Sequence, residues 1–215
     1  MKNVTGKTVR KLYLNQVVMS VFGIIVISSA SMFAKGNTFM VLASLLSVGL
    51  YLFIIYDAMW NAGAKDAAVR LRAEDANLDK IKTPFYTVLF ASLFNIAGAV
   101  VYALLWLIIY VRDLTEGAIV LTGDAVHLII NFANGMYQGF AAMLFPHPHE
   151  ILGLTNEQIT EYVAIHGAPT IIEFTSPFFY FLIPVPLFVT GILAYYIGAS
   201  ETKLIKILGF KSENN

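Results

Sequence analysis

Four long stretches without a charged residue constrain this chain more than any other feature of its sequence. They cover residues 12–34, 38–56, 84–111 and 174–200, and none contains an Asp, Glu, Lys or Arg. A helix needs about 20 apolar residues to cross a hydrocarbon core of ~30 Å, and each stretch is close to that length or longer. The sequence therefore predicts an all-α fold, a polytopic membrane helix bundle with four firm transmembrane helices.

The composition agrees with a membrane protein and excludes several functions. Hydrophobic residues make up 58% of the chain and charged residues only 13%, which would be a poor surface for a soluble protein. The spans leave too few residues for a separate soluble domain, so we expect residues 1–215 to form a single integral membrane domain. The absence of cysteine excludes disulfides, thiolate metal sites and cysteine nucleophiles. A basic nucleic-acid-binding face is also absent, and the lipid bilayer is the expected partner.

The basic residues indicate the orientation, because Lys and Arg are retained on the cytoplasmic side of a membrane. They are concentrated before the first span, in the connection 57–83 and in the tail after residue 200. If these three segments are cytoplasmic, only Lys35 and Arg112 of the 14 basic residues lie outside. We therefore expect a multi-pass protein of the cell membrane, with both termini in the cytoplasm and an even number of crossings.

The residues of the connection 57–83 indicate that it forms a short exposed helix. It is rich in good helix formers, and Asp66 precedes Arg70 by four residues, which is the favourable order for an ion pair on a helix.

The outer region 112–173 leaves two topologies open. Residues 124–145 are apolar enough to form a fifth span, but a fifth crossing would place the basic C-terminal tail outside. The dipeptide Asn134-Gly135 is a turn signal within this segment, so two short helices that dip into the membrane and return would satisfy both observations. We prefer this re-entrant or surface-lying arrangement to a true fifth helix.

Five polar residues of this segment recur at helical spacing. Asp124, His127, Asn131, Asn134 and Gln138 are separated by intervals of three and four, which would place them on one face of an α-helix. Polar groups in hydrocarbon must either bond across helices or line a wet cavity. These five residues, called the polar stripe below, are therefore either packing contacts or candidates for lining a ligand path.

Three residues of the outer region are candidate metal ligands. His147, His149 and Glu150 combine imidazole and carboxylate groups, which are suitable ligands for Zn²⁺. Their spacing matches no established metal motif, and a solvated proline loop is the simpler interpretation. We expect no bound cofactor.

Two further features complete the pattern. Thr155 and Gln158 form a capping box that predicts an amphipathic lid helix over the outer ends of the spans.

In the last span, Pro184 and Pro186 remove backbone hydrogen bonds and predict a hinge within the membrane.

Three functions are compatible with these observations, and we rank them in the following order. The first is a non-enzymatic protein that binds a membrane-protein partner, forms a homo-oligomer or serves as a subunit of a complex. The second is a small transporter or channel for a neutral or weakly polar solute, with the residues from Asp124 to Gln138 lining its path. The third is a metal-dependent enzyme. Coupling to protons or sodium normally uses an acidic residue within the membrane, and the four firm spans contain none.

Overall fold

The computed structural model describes residues 2–33, 37–73, 82–112, 117–145, 158 and 176–200. Helices account for nearly all of these residues. They are α1 (Lys2–Phe33), α2 (Asn37–Ala73), α3 (Lys82–Arg112), α4 (Ala118–Ala133), α5 (Gln138–Leu144), α6 (Phe178–Leu182) and α7 (Pro184–Ala199), and a single 3₁₀ turn (Gly135–Tyr137) joins α4 to α5.

The four predicted spans are confirmed as helices that are long and apolar enough to cross a membrane. The qualifying segments are Gly6–Ala30, Thr38–Ala67, Pro84–Arg112 and Phe178–Ala199, of which the last combines α6 and α7. Large apolar side chains are exposed along all of them, for example Val18, Phe53, Leu104 and Leu193. Such a surface suits lipid, because hydrocarbon does not penalise exposed apolar groups as water does.

Helix α2 differs from the expectation of a separate cytoplasmic helix. It runs without a break for 37 residues, about 55 Å, and so includes the charged residues from Asp57 to Asp66. No Pro lies in this stretch, and the Asn61 side-chain amide donates to the Asp57 backbone oxygen at 2.8 Å. With no proline after the second span, the helix continues into the predicted connection as far as Ala73.

The chain divides into two compact units. Unit 1 comprises residues 1–17, 49–93 and 184–215. In its described part, two glycines allow α2 and α7 to approach at the level of their backbones. A Cβ on Gly63 would overlap the Tyr195 carbonyl oxygen, and one on Gly198 would overlap the Trp60 carbonyl oxygen. Close to this crossing, the Tyr195 hydroxyl donates to the Asp66 carboxylate. Small residues, rather than large ones, hold these two helices together, as is common in membrane proteins.

Unit 2 comprises residues 18–48 and 94–183 and contains α4, α5 and α6 with parts of α1, α2 and α3. Its buried apolar side chains come from α1, α2, α3, α4, α6 and the turn between α4 and α5. The side chain of Ile130 packs over Gly98, whose missing Cβ would lie 3.1 Å from Ile130 Cγ1. In contrast, Leu121, Leu128 and Phe132 of α4 are exposed. Helix α4 thus has one packed face and one apolar exposed face, which is the pattern of a helix embedded in lipid.

The last span is interrupted where its prolines predict a break. Helix α6 has five residues and ends at Leu182; Ile183 is a turn, and Pro184 begins α7. Both Pro184 and Pro186 then lie in the first turn of α7, where backbone N–H groups have no partner within the helix. The prolines therefore mark the start of α7, in the first half of the segment Phe178–Ala199.

Candidate functional site

The polar stripe is divided between two helices. Helix α4 ends at Ala133, so only Asp124, His127 and Asn131 share its face, whereas Asn134 lies in the break and Gln138 begins α5. The difference from a single helical face arises because the turn at Asn134-Gly135 ends the helix after the third polar residue, Asn131. His127 and Asn134 are buried, and the other three are half-buried.

Both polar atoms of the Asn131 amide are engaged, one by the last span and the other within α4. Its Oδ1 accepts a hydrogen bond of 2.8 Å from the Tyr180 hydroxyl of α6. Its Nδ2 lies 3.1 Å from Nε2 and 3.3 Å from Nδ1 of His127. The amide nitrogen can only donate, so a hydrogen bond here would be accepted by the ring nitrogen that carries no proton. Asn131 is therefore bonded to His127 within α4 and to Tyr180 of α6 across the two helices.

Aromatic rings enclose the same histidine. The Tyr102 ring of α3 lies 5.5 Å from the His127 ring, and the Tyr180 ring lies 6.0 Å from it, measured between centroids. The two tyrosine rings meet edge to face at 5.2 Å. Tyr102 has no exposed surface and Tyr180 only 1%. At this point the stripe contacts packed side chains, which is the arrangement expected of interhelical bonding.

The break between α4 and α5 turns the chain through 87°. A break leaves unpaired carbonyls at the end of one helix and unpaired N–H groups at the start of the next. Hydroxyls from two other helices bond to one group of each kind. The Ser20 hydroxyl of α1 donates to the Ala133 carbonyl oxygen, and the Ser44 hydroxyl of α2 accepts from the Gly139 backbone nitrogen at 2.8 Å. Non-helical backbone within a membrane is tolerated when it is buried in protein and bonded in this way.

Three glycines allow the break to lie directly against α1 and α2. A Cβ on Gly23 would lie 2.7 Å from the Met136 backbone nitrogen, and one on Gly135 would lie 2.6 Å from the Ser20 carbonyl oxygen. A Cβ on Gly139 would overlap the carbonyl oxygen of Met40. Any larger side chain at these positions would push the break away from the two hydroxyls that cap it.

Two buried polar atoms of the break have no hydrogen-bond partner in the described part of the chain. They are Oδ1 of Asn134 and the hydroxyl of Tyr137. Asn134 is 3% exposed and Tyr137 is 7% exposed. Buried polar groups are nearly always paired in proteins, so each such atom requires a physical explanation.

The candidate metal ligands His147, His149 and Glu150 lie outside the described residues, as does the predicted lid helix apart from Gln158. In the ranges that the structure describes, no group of three or more His, Cys, Asp or Glu side chains converges as a metal site would require. The described contacts of His127 are with the Asn131 amide and the rings of Tyr102 and Tyr180.

Several residues of this site carry no recognisable signal in the sequence. Ser20 and Ser44 lie singly within apolar stretches, and Tyr102 and Tyr180 are two of many aromatic residues in the spans. Only the excess of small residues in the helices hints at close contacts.

The chain matches no family model, no curated protein and no solved structure.

Proposed function

We propose that the protein crosses the cell membrane four times, with both termini and residues 57–83 in the cytoplasm. The distribution of Lys and Arg supports this topology. The dimensions of the break support it as well. Helix α4 has 16 residues and is about 24 Å long, and the following arm turns away by 87°, so it adds little length along the axis of α4. With α4 upright, the pair is too short for a core of ~30 Å, which favours a re-entrant segment over a fifth span.

Cysteine labelling tests this topology, because the natural chain has no cysteine. Single cysteines replace Ala73 and Ser212, and intact cells are treated with a membrane-impermeant maleimide. We expect both positions to react only after the membrane is permeabilised. Labelling of Ser212→Cys in intact cells, with Ala73→Cys still protected, would demonstrate a fifth crossing.

We infer that the protein acts without catalysis, as a partner-binding protein or a subunit of a membrane complex. The observation that supports this is the use of His127 and Asn131 in bonds and ring contacts with Tyr180 and Tyr102. A general base or a ligand-lining face needs groups that are free to meet a substrate. Here the groups best suited to chemistry hold helices together, and the exposed apolar faces offer lateral contacts to other membrane helices.

The mass of the intact assembly tests this function. The full chain is extracted with its lipids into nanodiscs and analysed by native mass spectrometry at several dilutions. We expect a complex of defined stoichiometry that is heavier than one 23.7 kDa chain and survives dilution. A single chain at every dilution would contradict the proposal, and a mass that falls steadily with dilution would indicate crowding alone.

A second function is favoured by one observation, the interrupted helix between α4 and α5. Transporters often bind their substrates at broken helices, because the break exposes backbone and side-chain polar groups at membrane depth. We propose, as the alternative, passage of a neutral or weakly polar solute past Asn134. Light scattering of proteoliposomes tests it: osmotic shrinkage, which reports water, or re-swelling after addition of urea or glycerol, which reports entry of those solutes, should be faster than in empty liposomes. Rates equal to those of empty liposomes in all three measurements would exclude these solutes.

A further inference from the structure

We propose that the break between α4 and α5 binds a small uncharged molecule that both donates and accepts hydrogen bonds. The molecule is water or an organic solute of similar chemistry, such as a small amide or alcohol. The groups that hold it are Oδ1 of Asn134 and the hydroxyl of Tyr137, two buried atoms of the break that have no partner in the described part of the chain.

The 3₁₀ turn brings these two side chains to the same side of the break. The Tyr137 backbone nitrogen donates to the Asn134 carbonyl oxygen at 2.9 Å. This is the i to i+3 bond of a 3₁₀ turn, and side chains three residues apart in such a turn are eclipsed. Both residues are more than nine-tenths buried. The two side chains therefore project from the same side of the turn, and a molecule that reaches one of them lies on that side too.

The hydrogen bonds already present define what the guest must provide. Nδ2 of Asn134 donates to the Ile130 carbonyl oxygen at 3.0 Å, which fixes the orientation of the amide. Oδ1 is then an acceptor that needs a donor, while the Tyr137 hydroxyl can both donate and accept. The guest must contain at least one O–H or N–H group and one lone pair.

The same surroundings disfavour a charged guest. In the described part of the chain, the groups that bond to the break include the hydroxyls of Ser20 and Ser44 and backbone amides. None of them carries a charge, and an unpaired ion in a medium of low dielectric constant is strongly destabilised. A neutral guest satisfies both atoms without that cost.

This site does not depend on the function proposed above. A resident guest would stabilise the break in a protein that only assembles with partners, and an exchanging guest would suit a solute path. The assembly mass and the proteoliposome rates test those functions, whereas the experiments below test the site.

The first experiment removes a single oxygen atom. If the Tyr137 hydroxyl had no partner, Tyr137→Phe would remove a buried unsatisfied group and raise the melting temperature of the full chain in detergent. If a guest is bound, the same change breaks its hydrogen bond. We expect the apparent Tm to fall by about 2–4 °C. An unchanged or raised Tm would overturn the proposal. Tyr180→Phe is the control: it removes the hydrogen bond to Asn131, and its fall in Tm shows the effect of losing one such bond.

The second experiment uses the wild-type chain and separates the two sources of the guest. X-ray radiolysis produces hydroxyl radicals from water, so a buried side chain is oxidised efficiently only beside an ordered water molecule. We expect Met136, which has no exposed surface, to be oxidised faster than Met59, which is 1% exposed and lies in unit 1. That result identifies water.

If Met136 and Met59 react equally slowly, acetamide is added during thermal unfolding. A rise in Tm of the wild type that is absent in Tyr137→Phe identifies an organic guest. Slow oxidation of Met136 together with no effect of acetamide would overturn the proposal.

Discussion

Replacing Gly63 by alanine provides a sharp test of how the helices of unit 1 pack. A Cβ at this position would overlap the Tyr195 carbonyl oxygen and lie 2.9 Å from the Ala199 backbone nitrogen. Ordinary contacts of a Cβ begin near 3.4 Å. These obstacles are backbone atoms of a helix, which cannot rotate away as a flexible side chain can. Helix α7 would have to move away from α2, and the hydrogen bond from Tyr195 to Asp66 would lengthen.

The expected cost follows from two contributions. Overpacking of a tight contact costs about 1–3 kcal/mol, and a weakened interhelical hydrogen bond adds about 0.6 kcal/mol. Gly49→Ala is the matched control, because Gly49 lies in the same helix and its Cβ would have no atom within 4 Å. Both variants gain the same helix propensity, so this gain cancels in the comparison. Gly63→Ala should therefore unfold with a free energy about 2–4 kcal/mol lower than that of Gly49→Ala.

The measurement is reversible unfolding by sodium dodecyl sulfate in mixed micelles, followed by circular dichroism. Equal free energies of unfolding for Gly63→Ala and Gly49→Ala would refute the close backbone contact of α2 with α7. A loss shared by both variants would instead show that glycine is needed in α2 for a reason unrelated to packing.

Three further predictions concern unit 2 and the outer region. In a double-mutant cycle, Asn131→Leu and Tyr180→Phe should be coupled by about 0.6–2 kcal/mol in unfolding free energy, whereas strict additivity would show that their hydrogen bond contributes nothing. Gly139→Ala should lower the free energy of unfolding by about 1–3 kcal/mol relative to Gly49→Ala, because its Cβ would separate the break from α2; a difference near zero would contradict this packing. Elemental analysis of untagged protein should find less than about half an equivalent of Zn²⁺, and a near-stoichiometric content abolished by His147→Ala would reverse that expectation.

The four helices that are long and apolar enough to cross a membrane could be predicted because hydropathy is a local property of the chain. Each span is recognised from its own residues, without knowledge of its neighbours. The break after Ala133 was also predictable, since Asn134-Gly135 is a turn signal within an apolar stretch. The continuation of α2 to Ala73 was missed because hydropathy marks where a helix leaves the hydrocarbon and not where it ends.

The partners of the polar stripe lie beyond the reach of such local patterns. Spacing places His127 and Asn131 on one helical face, but it does not identify what that face meets. Tyr180, which bonds to Asn131, is 49 residues away, and Ser44, which caps α5, is 95 residues from Gly139. Contacts at these separations depend on which helices pack against each other, and local patterns in one sequence do not determine that pairing.

The glycines show why the break is held by its neighbours and not by its own sequence alone. The Asn134-Gly135 turn permits a change of direction, but two helix ends with unpaired backbone groups would be costly in a membrane. Ser20 and Ser44 can reach those groups only because Gly23 and Gly139 let α1 and α2 approach the break at backbone distance. The tight contact and the hydrogen bonds are therefore interdependent. Replacing either glycine by a larger residue should therefore destabilise the break as strongly as removing the serine hydroxyl of the same helix contact.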